Sequence, residues 1–142
     1  MSSDEKPHDE ELLTILLYAS DRTMRENVRL TLGRKVAADL PPVRVLEVAT
    51  QPAVITAMDA GGIDLAILDG EAQPTGGLGV ARTIRQECAE QPLLCVLIRR
   101  RDDRWLATWS QVDGTLMYPI DPVTAAESVA GLLRLAAGTP TR

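Results

Sequence analysis

Short, unbroken apolar runs alternate along the chain with longer segments whose apolar residues recur every three or four positions. The runs have the length of strands, and the spaced segments have the period of helices packed on one face. The first run is Leu12–Tyr18, read as a buried strand. A turn follows at Ala19-Ser20-Asp21. Met24, Val28, Leu32 and Val36 then share a helical face, which predicts a first helix from about Asp21 to Ala38. Thr23 with Glu26 fits a capping box, and Ser20 or Asp21 serve equally well as N-caps. Pro41-Pro42 ends any helix.

Val43, Val45, Leu46 and Val48 form a second strand. Thr50 caps a second helix, Pro52 fits its first turn, and Val54, Ile55 and Met58 give its apolar face. Gly61-Gly62 ends that helix and leads into Ile63-Asp64-Leu65-Ala66-Ile67-Leu68, which Asp69 and Gly70 stop abruptly. This run lacks face alternation, as expected of a central parallel strand covered on both sides. The loop Glu71–Gly77 precedes a third helix carrying Leu78, Ala81, Ile84 and Cys88. Pro92 opens a fourth strand, Leu93–Ile98. A charged run, Arg99–Arg104, leads to a short helix holding Trp105, Leu106 and Trp109. Thr115–Tyr118 form a fifth strand. Asp121 then caps a last helix with Pro122 at its first position and Val123, Ala126, Ala130 and Leu133 on its inner face.

Strand and helix thus alternate five times. Such alternation implies an α/β fold with a parallel sheet, helices on both faces and right-handed crossovers. The expected architecture is a flavodoxin-like, three-layer sandwich with strand order 2-1-3-4-5, which centres the Asp69 strand. One domain spans 12–137, preceded by an acidic tail at 1–11 and followed by a short tail at 138–142. The first tail sets Asp4, Glu5, Asp9, Glu10 and Glu11 against Lys6, a solvated composition.

Composition narrows the function. The 142 residues are 45% hydrophobic and 25% charged, as in a globular domain with a real core. The net charge of −5 argues against nucleic acid as partner. No apolar stretch approaches the ~20 residues of a spanning helix, so membrane insertion is not expected. The polar N-terminus and two cysteines, Cys88 and Cys95, point to a reducing, cytoplasmic setting, with both thiols read as buried apolar residues. The single histidine, His8, lies in the acidic tail, which leaves most His-based catalytic and metal schemes without material.

In an open α/β sheet, chemistry gathers at the carboxyl ends of the strands. Those ends bring Ala19, Ser20 and Asp21 from the first strand and Asp69 from the third. The fourth brings Leu97, Ile98 and Arg99, and the fifth brings Tyr118 and Pro119. In Ile63–Asp69 followed by Gly77-Leu78, in Tyr118-Pro119-Ile120-Asp121-Pro122 and in Leu16–Asp21, the chain resembles the receiver domain of response regulators, the phospho-acceptor module of two-component signalling. The resemblance covers roughly residues 13–136. It implies that Asp69 matches the phosphorylated aspartate and Gly77 the glycine opening helix three. It also implies a cis Tyr118–Pro119 bond.

The departures are as specific. The family's acid pair, which holds Mg²⁺, falls on Ala19 and Ser20, with Asp21 one residue late. The family's strand-four hydroxyl falls within Val96-Leu97-Ile98. Its lysine falls on Tyr118. Phosphoryl transfer relies on a cation and positioned donors around the equatorial oxygens. The expectation is therefore an atypical, non-enzymatic receiver without a required cofactor, its Mg²⁺-dependent phosphorylation lost, acting through protein–protein contacts. Asp69 is then a loop anchor, accepting N–H bonds from the Gly70 loop or a bond from Ser20. Tyr118 either bonds Asp69 in place of the lysine or packs over the strand ends. Two alternatives stand beside this reading: a working phospho-acceptor using Asp69 with an unusual cation site, and a small-ligand module on the same scaffold.

Arg99, Arg100, Arg101 and Arg104 read as a solvated loop balanced by Asp102 and Asp103, or as a patch that attracts an anion or an acidic partner. Trp105 and Trp109 share a helical face and are the candidate contact residues. In the family, the surface made by that short helix, the fifth strand and the last helix is the usual output and dimer face. The resemblance thus implies another protein, including a second copy of this chain, as partner.

Overall fold

The computed structural model describes residues 12–89, 91–100 and 111–137. The elements are β1 (Leu13–Tyr18), α1 (Arg22–Leu32), β2 (Val43–Val48), α2 (Gln51–Ala60), β3 (Leu65–Asp69), α3 (Gly77–Glu87), β4 (Leu93–Ile98), β5 (Gly114–Met117) and α4 (Pro122–Ala136). The strands form one parallel sheet in the order β2-β1-β3-β4-β5, as the alternation predicts. The tails and the Trp105 helix lie outside the described residues, as do Arg101 and Trp109.

The unbroken apolar runs are explained by a core on each side of the sheet. Ile15, Leu17, Ile67, Cys95 and Leu97 face α1 and α4, where they meet Met24, Val28, Val129 and Leu133. Leu16, Tyr18, Ala66, Leu68 and Val96 face α2 and α3, against Val54, Met58, Val80 and Ile84. Side chains alternate across a strand, so two covered faces demand apolar residues at every position. Cys95, fully buried at the centre, has its thiol pushed up to about 12 by burial and, secondarily, by the charge of Asp113.

Several boundaries differ from the periodicity. Helix α1 ends at Leu32 rather than Ala38, because Gly33 turns to a φ of 66° and returns its N–H to the Arg29 carbonyl. Val36 keeps its apolar role by packing on the core from an irregular segment. Asp21 is the N-cap and accepts the Thr23 N–H at 3.0 Å. On α3, Val80 joins Ala81 and Ile84 as a buried residue, whereas Leu78 is half-buried and Cys88 is a half-buried C-cap. Gly77 rather than Leu78 presses on β3, and that sets the helix rotation. On α4, Ala125, Val129, Ala130, Leu132 and Leu133 are buried, while Val123 is 66% exposed. The Asp121 cap, which takes the Thr124 N–H at 2.9 Å, fixes this phase and leaves Val123 outward. Tyr118 lies one residue past β5, yet its N–H still reaches the Ile98 carbonyl at 2.8 Å. The Tyr118–Pro119 bond is cis, and so is Gln73–Pro74.

The lower edge of the sheet, where the strands begin, is closed by paired polar groups. The Asp64 carboxylate accepts the Thr14 N–H at 2.8 Å, and Arg44 donates to the Thr14 hydroxyl at 3.1 Å. Asp113 accepts from Arg85 at 2.8 Å and from the Leu94 N–H at 2.7 Å. Arg134 on α4 holds Asp39 with two hydrogen bonds of 2.9 and 3.0 Å. No described helix is long and apolar enough to cross a membrane.

Candidate functional site

Asp69 occupies the last position of β3, in register with Leu97 of β4. It is one of only two buried polar or charged side chains among the described residues, at 3% exposure. Its Oδ1 accepts the Glu71 N–H at 3.0 Å, an Asx-type turn that anchors the loop as the sequence suggested. Burial pushes the Asp69 carboxyl above its ordinary value. The Glu71 N–H and the charge of Arg99 work against that, while the charges of Glu71 and Asp21 add to it.

The loop that follows is drawn tightly over the strand ends. The Gly70 N–H reaches the Leu97 carbonyl at 2.9 Å, and the Ala72 N–H reaches the Asp69 carbonyl at 3.2 Å. A Cβ on Gly77 would stand 2.8 Å from the Asp69 and Leu68 carbonyl oxygens, so only glycine lets α3 start this close to β3. Tyr18, fully buried at the end of β1, donates its hydroxyl to the Thr75 carbonyl at the far end of the loop. Burial raises the Tyr18 phenol, and the charge of Asp69 raises it further.

The remaining strand ends do not converge on Asp69 as reactive partners. Ala19 is fully buried, and its carbonyl accepts from the Arg25 guanidinium at 2.6 Å. Ser20 bonds the loop rather than Asp69: its hydroxyl accepts the Gln73 N–H at 3.1 Å. Asp21 is engaged as the α1 cap. Leu97 is buried, and Pro119 is exposed beyond the cis bond. Tyr118 does not bond Asp69. Its hydroxyl accepts from Asn27 at 3.2 Å, and its half-buried ring packs against the α1–α4 core. The ring also carries the Arg99 guanidinium, 4.9 Å from its centroid, a cation–π contact that places a positive charge at this rim.

Sequence reasoning named Asp69, Gly77 and the Tyr118–Pro119 corner, but missed Tyr18 and Asn27. Tyr18 carried one signal: a polar-tipped side chain at the carboxyl end of a mostly apolar run. Asn27 carried none, because its partner is 91 residues away in sequence.

No family model matches the chain. An uncharacterized response regulatory protein of Mycobacterium tuberculosis is 47% identical over 128 residues, which is 90% of this chain and 96% of that one. The fold matches the receiver domain of a Francisella response regulator with a TM-score of 0.72 at 10% identity, covering 87% of this chain and 98% of that one. It also matches a CheY-like receiver domain from Methylobacillus flagellatus, with a TM-score of 0.69 at 18% identity, over 88% and 98% of the two chains. The chain belongs to the response regulator family, and its β2-β1-β3-β4-β5 sheet is that of the receiver domain of signal transduction.

Proposed function

We propose that this receiver is atypical: a non-enzymatic regulatory module that works by binding another protein and does not depend on Mg²⁺-assisted phosphorylation of Asp69. One observation carries the reading. Where the acid pair would stand at the end of β1 there is a buried, apolar Ala19 and the hydroxyl of Ser20, and the Asp21 carboxylate, whose charge Asp69 feels, is engaged as the α1 cap. Mg²⁺ favours near-octahedral oxygen coordination with carboxylate help. Among the described residues no three His, Cys, Asp or Glu side chains gather into a metal-binding group. This donor set does not fit the ion. Charge on transferring phosphoryl oxygens would meet Arg99 at the rim, but neither a strand-four hydroxyl nor a strand-five ammonium.

The binding surface in this reading is the β5–α4 side. A groove of about 270 Å³ runs past Thr115, Met117, Pro119 and Ser128. Val123 and Leu135 stand 66% and 55% exposed on α4. Arg99, held over the Tyr118 ring, adds a positive charge at its rim; Arg101, Trp105 and Trp109, the contact residues expected from the sequence, lie outside the described residues. The partner is a protein, a second copy of this chain included.

The test is a beryllofluoride titration followed by amide NMR, with and without Mg²⁺. The expected result is no saturable, Mg²⁺-dependent shift around Asp69, Gly70 and Glu71. Such a shift, abolished by Asp69→Asn, would establish the phospho-acceptor reading instead.

A further inference from the structure

The side of the molecule opposite β5 carries a groove that the receiver reading does not use. It lies between α1 and the edge strand β2, holds about 300 Å³, and is lined by Arg29, Leu30, Gly33, Arg34, Val43 and Val45. Its floor is apolar, and Leu30 is 65% exposed on its wall. Its rim is basic. Glu47 takes Arg25 at 3.2 Å and Arg29 at 3.0 Å, which leaves Arg34 with no carboxylate partner among the described residues. The Arg34 backbone is fixed there by its carbonyl, which accepts the Val43 N–H at 2.7 Å.

We propose that the acidic residues 1–11 of this chain dock in this groove, with Asp9, Glu10 and Glu11 against Arg34 and the groove's basic rim. Two observations select this occupant. The first is where the segment joins the fold. Leu13 is in register with Val43, a groove residue, and its N–H meets the Pro42 carbonyl at 3.0 Å. Neighbouring strands lie ~4.8 Å apart, so the three acids nearest Leu12 begin about one strand spacing from the site. Eleven extended residues reach about 35 Å, well beyond the groove. The second is charge. Residues 1–11 set five carboxylates against one lysine, and the groove offers the Arg34 guanidinium over an apolar floor. A docked segment would cover Leu30 and the open edge of β2, so an acidic competitor would have to displace it to reach either. This inference does not depend on the chemistry of Asp69.

The test compares amide NMR spectra of the 142-residue chain with those of two variants of the same length. One carries Asp9→Lys, Glu10→Lys and Glu11→Lys. The other adds Arg34→Glu to it. At low salt, reversing the acids is expected to shift the amides of Leu30, Gly33, Arg34, Val43 and Val45. Adding Arg34→Glu is expected to move those of Leu30, Val43 and Val45 back toward the wild-type positions. Raising NaCl to about 0.5 M should reproduce the first shift in the unaltered chain, because the screening length falls to a few ångströms. Shifts confined to Leu12 and Leu13 would overturn the proposal. Groove shifts that depend on protein concentration would overturn it too, by assigning the groove to a second copy.

Discussion

Strand β3 has a carboxylate at each end, and the two are treated oppositely. At the entrance, Asp64 is half-buried and satisfied by the Thr14 N–H, within an edge where Asp113 and Asp39 have arginine partners. At the exit, Asp69 is almost wholly buried with one backbone N–H and no ion pair among the described residues. Electrostatics at the entrance contributes to holding the sheet together. At the exit it opposes folding, since removing a charge from water costs free energy unless partners offset it. What keeps the exit closed is close backbone packing, in the tight loop and the Gly77 contact, with one side-chain tie from the Tyr18 hydroxyl. The same strand thus has an electrostatically braced end and a sterically braced end.

The comparison can be broken most strongly at the glycine. Gly77→Ala places a methyl 2.8 Å from the Asp69 and Leu68 carbonyl oxygens and is expected to cost about 2–3 kcal/mol in urea unfolding. Asp113→Ala, at the other end, leaves the Leu94 N–H without its acceptor and takes one acceptor from Arg85, which keeps Gln111 and Gln91. It is expected to cost about 2 kcal/mol, a smaller loss than at Gly77.

Asp69→Asn should stabilise, by less than either loss. The folded state holds the Asp69 carboxyl above its ordinary value, so it binds a proton more tightly than the unfolded chain does. Its favourable contribution is therefore full below the ordinary carboxylate range and is lost as pH rises through the elevated folded value. Asn should remove that segment of the pH–stability curve and leave the neutral-pH protein more stable. Arg134→Gln should have the smallest effect, because the Asp39 pair it breaks is solvent-exposed and screened by salt. The Arg134 hydrogen bonds hold the Asp39 carboxyl below its ordinary value. The small stability this pair contributes is present above the ordinary carboxylate range and should fade as pH falls through the depressed folded value.

Sheet order and the place of Asp69 were legible because they follow from pattern. Unbroken apolar runs require two covered faces, and Asp-Gly after such a run requires a strand end. Boundaries were less legible. The Met24–Leu32 period continues numerically into Val36, and nothing local tells a helical apolar residue from one that packs out of a loop. The rotation of α3 depended on a Gly77 contact with a strand that precedes it by a whole loop. Tyr118 illustrates the limit at the site. The sequence placed it at the pocket's rim, but its hydroxyl had two possible partners there, and only the fold selects Asn27 over Asp69.

The two cysteines differ in the same way as the two ends of β3, and that difference has a practical use. Cys88 is half-buried at a helix end, whereas Cys95 sits fully buried in β4 with a thiol near 12. An alkylating reagent at neutral pH attacks a thiolate, so it should reach Cys95 only in molecules whose central sheet has opened. In a Cys88→Ser background, with reagent concentrated enough for alkylation to outpace reclosing, the rate of covalent modification then equals the rate at which the sheet opens. It turns the core of this receiver into its own clock for how often the sheet comes apart.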